Sequence, residues 1–470
     1  MEGSNKWLVL FIVSIGIFMS TLDSSILNIA NPTIANDFSV PVDLVQWVST
    51  SYMMVITATL LLFGRLGDRI GNDRVYTGGF LLFAAGSWLC STVPTLGFLI
   101  LSRIFQGIGA SMLMATGIGI VSNTFPAAER GKALGLTGTV VGIGTMTGPS
   151  VGGFLVATWG WPAIFLINVP IGVMGFLMGW KYFPEQPRQQ DDKKPFDLPG
   201  LLLMMAAVVT LLTILSQYLD EKPVLLVLPM LLLTGFYFYE RQSPNPLLDF
   251  ELLRIPQVLY GSIQAACSYM TQTFPVFLIP FYLEKVLGFL PSQSGLMMTI
   301  LPVSHSIVAP LAGSLSDRIG PAYLTSLAFL LQGTAHLIFA SLQPHPDLVR
   351  LGVGLVLMGI GNAMFGSPNN SSILGACPRE KAGYAGGFVA TIRNLFYALG
   401  IATSVGFFTF FLQNNLTAAV PYTQAFTGSL AVVYRIAAAI ALLGLVISWE
   451  TRNIRQPAPP QVESEVNRSV

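Results

Sequence analysis

The sequence is poor in charge: Asp, Glu, Lys and Arg make up 10% of its 470 residues, where a soluble domain carries about 25%. So few charges cannot cover a surface facing water, and 53% of the residues are hydrophobic. The solvent for most of this chain is therefore lipid. A net charge of +1 leaves no electrostatic footprint for nucleic acid. Cysteine is scarce. Cys90, Cys267 and Cys377 lie in or beside apolar segments without paired spacing, which gives neither a disulfide framework nor a metal site. There is no G-x-x-x-x-G-K-[ST] run to hold nucleotide phosphates, no G-x-S-x-G elbow and no cluster of metal ligands. Direct ATP drive has no residues to rest on, and an enzyme is not expected. No small-residue cleavage site follows the first apolar run, which reads as an uncleaved span.

Long apolar runs dominate what is present. A helix needs about 20 apolar residues to cross a bilayer. Fourteen such runs occur, near 8–31, 44–64, 75–93, 96–121, 133–158, 162–180, 198–217, 223–239, 255–283, 294–316, 322–342, 351–370, 382–410 and 427–449. They are continuous and do not alternate, so they predict helices and not barrel strands. With the N-terminus inside, 18 of the 24 basic residues fall on inner segments and three (Lys222, Lys285, Arg350) on outer ones. That bias predicts a multi-pass protein with both termini cytoplasmic.

One charged octapeptide is written twice: GRLGDRIG at 64–71 and GSLSDRIG at 313–320, 249 residues apart. A second echo pairs QGIGASM at 106–112 with MGIGNAM at 358–364. The chain therefore divides into parallel halves, a six-helix bundle over 1–180 and another over 255–450. Between them, 181–254 holds a Pro-rich charged linker and two extra helices, and 451–470 reads as a disordered cytoplasmic tail.

These motifs resemble the major facilitator superfamily, and within it the fourteen-span drug:proton antiporters. Gly64, Leu66, Asp68, Arg69 and Gly71 match the superfamily's motif between spans two and three. Arg103, Gln106, Gly107 and Gly109 match its fourth-span motif, and Gly144, Gly148, Pro149, Gly152 and Gly153 its antiporter motif. LDSSILNIANP (22–32) and FYLEKVLGFLPSQSGL (281–296) also read like this family. Departures are Asn72 and Asp73 where basic residues are usual, Pro321 in the second copy, and a short outer loop near 411–426. The resemblance implies a major facilitator fold and a monomeric transporter, in a bacterial inner membrane. It further implies export of small amphipathic substrates, driven by the proton gradient without any cofactor. Its partners would be membrane lipids, protons and the substrate. A lipid or glycolipid transporter on the same fold is the alternative.

The residues themselves suggest roles. Gly64, Asp68, Arg69, Gly71 and Arg74, with Gly313, Asp317, Arg318 and Gly320, are expected to gate the cytoplasmic face by making and breaking contacts between the halves. Asp23 is the one carboxylate expected inside a span, where an ionisable group is costly unless paired. Spans one and four run oppositely, which puts Asp23 and Arg103 at one depth, roughly 11 Å from the outer edge at 1.5 Å per residue. A carboxylate that gains and loses an Arg partner can couple transport to protons; a permanent pair would only fix packing. Gln106, Met112, Tyr269, Met270, Phe365, Asn369, Asn370 and Arg393 are candidates to line a substrate cavity, with core packing as the alternative for each. His305 and His336 read as packed hydrogen bonders. With Asp23 matched to Arg103, the cavity should be neutral or slightly positive.

Overall fold

The computed structural model describes residues 4–184, 197–214, 223–243, 251–378 and 382–451. Most of the 181–197 linker, and the tail after Thr451, lie outside them. The first half comprises α1 (Ser4–Asp37), α2 (Val42–Ile70), α3 (Asn72–Ser91), α4 (Leu96–Thr124) and α5 (Ala127–Trp159). Its sixth segment is broken into α6 (Ala163–Leu166) and α7 (Asn168–Tyr182). The second half comprises α10 (Pro256–Phe281), the broken pair α11 (Pro291–Met298) and α12 (Ile300–Ile319), then α13 (Pro321–Phe339), α14 (Leu348–Ala376), α15 (Ala382–Thr417) and α16 (Tyr422–Thr451). Between the halves come α8 (Leu198–Thr213) and α9 (Val227–Glu240). The protein is thus an all-helical membrane protein of two six-helix bundles with two additional helices.

Among the described residues, nine helices are long and apolar enough to cross a bilayer, or ten when the bent α2 counts as one span. Length and composition therefore establish fewer spans than the fourteen expected. The shortfall has local causes: α8 and α9 are short, α3 opens on Asn72, Asp73 and Arg74, and α10 carries Ser262, Gln264, Ser268, Thr271, Gln272 and Thr273.

The octapeptides are mainly helix, although their charge marks them as loops in the sequence. α2 continues through Gly64, Asp68 and Arg69 to Ile70, and α12 continues through Gly313, Asp317 and Arg318 to Ile319. Nothing between the glycines breaks the helix. The turn is confined to Gly71 (φ 105°) and Gly320 (φ 90°), a backbone region that glycine enters without a Cβ clash. The outer loop before α16 is also shorter than expected, because α15 runs on to Thr417.

One end of the bundle carries the octapeptides, and the other carries the 37–42, 159–163 and 286–291 connections. The largest apolar cluster lies toward that far end and takes residues from both halves, including Leu22, Ile26, Ile34, Phe274, Phe281 and Val405. Toward the octapeptide end the core divides. Val9, Tyr76, Phe80 and Val121 pack in the first half. Leu252, Ile373 and Phe388 form one cluster in the second half, and Phe329 and Phe365 belong to another. Hydrogen bonds between Ser150 and Thr299 (2.6 Å) and between Lys285 and Asn36 cross the far end. Near the octapeptide end a Cβ at Gly64, Gly135, Gly138, Gly366 or Gly375 would meet no heavy atom within 4 Å. The halves share their largest apolar cluster at the far end and hold mostly separate clusters toward the octapeptide end.

The antiporter-motif glycines make part of this seal. A Cβ on Gly144 would collide with Thr21 of α1, on Gly148 with Ser25, and on Gly152 with Ile26. Gly153 faces the other half, where a Cβ would stand 2.5 Å from the Pro291 carbonyl of α11. Pro149 lies inside α5, and its carbonyl abuts Gly295 of α11. Small residues thus let α5 touch helix backbones on both sides. The additional pair packs at the seam: Leu201, Met204 and Leu212 of α8 share a cluster with Met54 of α2 and Ala398 of α15. Asp197 ties the pair together, accepting from the Gly200 amide (2.9 Å) and from Tyr239 (3.0 Å) and Ser243 (2.7 Å).

Candidate functional site

Five helices of the first half enclose one polar cluster. Asp23 comes from α1 and Arg103 from α4, and the structure brings them to 2.6 Å. Gln106, one turn along α4, shares the face of Arg103 because residues at i and i+3 are neighbours. α3 supplies Ser87 and Cys90, α7 supplies Asn168, and α2 supplies the Val48 carbonyl and Tyr52.

The bonding is dense. Arg103 Nη1 donates to Asp23 Oδ2 and to Gln106 Oε1, both at 2.6 Å, and Nε donates to the Val48 carbonyl at 3.1 Å. Asp23 Oδ1 accepts from Gln106 Nε2 and from Asn168 Nδ2, both at 2.9 Å. Gln106 Nε2 also reaches Ser87 Oγ at 2.8 Å. The guanidinium lies 3.9 Å from the Tyr52 ring centroid, within cation–π range. Asp23 is 1% exposed and Arg103 0%, so water reaches neither in this conformation. Every partner of Asp23 is a donor, which suits an acceptor-only carboxylate. A proton on Asp23 would displace one of those donors and loosen α1 from α4 or α7.

The cavity candidates are dispersed. Gln106 is fully buried as a member of the Asp23 network, because its face of α4 turns toward α1 and α3. Met112 packs against Gly78 and Gly79 of α3. In the second half, Phe365 is fully buried and stacks edge-on with Tyr269 and Phe329. Tyr269 also packs on Tyr397 and donates to Asn370 at 3.3 Å. Asn369 is buried, while Met270 and Arg393 are partly exposed. Sequence reasoning missed a neutral network here: Gln332 Nε2 donates to Ser268 (2.9 Å) and Asn362 (3.1 Å), and Gln272 donates to Ser268 (2.8 Å). The spacing of the octapeptide repeat places Gln272 at the position in α10 that Asp23 holds in α1. At these matched positions the first half carries a buried ion pair and the second carries amides and hydroxyls.

Of the gating candidates, Asp68, Arg69, Arg74 and Arg318 are exposed at the octapeptide end. The side chain of Asp317 lies outside the described residues. His336 is wholly buried between Phe274, Phe339 and Tyr434, with neither ring nitrogen hydrogen-bonded.

Two parallel six-helix halves that share a core at one end, the first of them enclosing a buried ion pair, define a membrane transporter. The chain belongs to the Major Facilitator Superfamily, whose family profile matches residues 13–401. It is 44% identical over 450 residues to the riboflavin transporter RibZ of Clostridioides difficile, covering 94% of this chain and 97% of that one. It is 33% identical over 405 residues to the multidrug resistance protein Stp of Mycobacterium tuberculosis, covering 84% and 74%. A bacterial homolog of the human lysosomal transporter Spinster, in an inward-facing and unoccupied conformation, has the same fold. The match has a TM-score of 0.70 at 16% identity, covering 95% of this chain and 96% of that one.

Proposed function

We propose that this protein is a monomeric, proton-coupled secondary transporter. It exports small amphipathic molecules by alternating access, with both termini and the octapeptide end in the cytoplasm of a bacterial cell. The observation that carries this reading is the occluded Asp23–Arg103 pair, beside halves whose largest shared core lies at one end. Asp23 and Arg103 exchange the proton through opening of their network. The octapeptide residues join and release the cytoplasmic ends of the halves. The fourteen helical segments all cross the bilayer on this reading, as in the drug:proton antiporters. Similarity to a multidrug resistance protein supports export.

A second reading concerns the substrate alone. The 44% relative is a riboflavin transporter, which supports a planar, polar-edged aromatic molecule. The stacked Tyr269, Tyr397 and Phe365 and the amides of Gln272 and Asn370 suit such a ring system.

Both readings meet in one assay. Purified protein in liposomes, with an imposed pH difference, is given riboflavin and a matched pair of lipophilic mono- and dicationic dyes. A cavity without a free carboxylate cannot neutralise a second positive charge. Uphill dye movement with the monocation preferred at least several-fold is the expected result for export, and riboflavin alone moving assigns the flavin reading. Flux indifferent to the pH difference removes proton coupling. Orientation has its own check. A cysteine replacing exposed Asn414 should react with an impermeant maleimide added to intact cells, and one replacing Gln190 should not; the reverse pattern inverts the topology.

A further inference from the structure

The far-end seal holds a carboxyl group that the Asp23 network does not explain. α10 ends in a wide turn, Tyr282–Val286, which carries Glu284 and Lys285 side by side. Lys285 crosses the seam, its Nζ donating to Asn36 Oδ1 of α1. Glu284 turns toward α11. Its Oε1 is buried, and the Oγ of Ser294, buried as well, faces it as a weak partner. Ser294 adjoins Gly295, where α11 touches the Pro149 carbonyl of α5. The carboxyl is therefore held against the helix that makes the seal.

Few charges face it. Lys285 is the neighbour in its own turn, and α11 carries no charged residue. α16 begins at Tyr422 and has no charge before Arg435. Across the seam α1 presents Asn36 and Asp37, and Asp37 already accepts from Trp161 Nε1 at 2.7 Å. Burial pushes Glu284 up to about 8, against the opposing pull of Lys285 and the Ser294 hydroxyl.

We infer that Glu284 is a second proton-binding site, which takes up a proton when the far-end seal closes and releases it to that side when the seal opens. The inference rests on the alternating-access reading but is independent of Asp23. Parting α11 from α5 would hydrate the carboxyl and return it to the ordinary range, about 4.3. The sealed form then binds the proton more tightly, so acid favours the seal. As pH rises between about 4.3 and 8, the sealed-to-open ratio falls by up to about tenfold per pH unit, and it is flat beyond.

The test uses full-length protein in lipid nanodiscs, spin-labelled at Ser39→Cys and Leu290→Cys on opposite sides of the seam. Pulsed dipolar distances are recorded from pH 5 to 9. In the otherwise unmodified protein the long-distance population should grow several-fold per pH unit and level off above pH 8. Glu284→Gln should keep the short distance seen at pH 5, which also reports an intact fold, and should lose the pH response. Asp23→Asn should retain it. A pH response that survives Glu284→Gln overturns the inference alone. A single distance at every pH overturns both the inference and the alternating-access reading.

Discussion

Asp23→Asn should leave the protein folded and abolish uphill transport. The amide matches the carboxylate in shape, and its oxygen can still accept from Arg103 or Asn168, so α1, α4 and α7 remain packed. What disappears is the group proposed to bind and release a proton. Transport against a gradient in liposomes with an imposed pH difference should fall to background, a loss of at least a hundredfold. Downhill exchange of substrate should persist, because alternation of the halves does not need the charge. Undiminished uphill transport would make the pair a packing device and assign coupling elsewhere.

Arg103→Leu should be the most destabilising single change in the first half. It leaves Asp23 buried with two amide donors and no counter-charge. Breaking a buried pair from one side costs about 3–5 kcal/mol, because the abandoned charge has no water to turn to. The Val48 carbonyl also loses one donor, and Tyr52 loses its stacked cation. Thermal unfolding in detergent should show a marked fall in midpoint, and Asp23→Asn combined with Arg103→Leu should recover much of it. A single variant as stable as the starting protein would mean that Asp23 is not held as an ion in the folded state.

The ion pair was legible because charge in a lipid-facing sequence is conspicuous. Asp23 and Arg103 stood alone in apolar runs, and counting residues from the ends of two antiparallel helices gave their common depth. Their amide and hydroxyl partners were not legible. Asn168 and Ser87 look like ordinary polar residues until the facing helix is known, and Gln106 stood out only through its motif and as a candidate for cavity lining. Which of the cavity candidates face inward was not legible for the same reason: a helix buried on several sides has no periodicity that separates its inner faces. The repeat exposed the two halves directly. The octapeptides misled on local structure, because their charges suggested loops while only Gly71 and Gly320 leave the helix. Glu284 was hidden by position, since a carboxylate at a span end reads as a water-facing loop residue.

The additional helix pair changes how the two sides of the molecule meet the bilayer. The halves have two lateral seams, one along α2 and α15 and one along α5 and α12. α8 covers the first with Leu201, Met204 and Leu212, whereas at the second Gly135 and Gly138 face open space. At the octapeptide end one flank is therefore walled by an added helix and the other is not. The protein has a front and a back in the plane of the membrane.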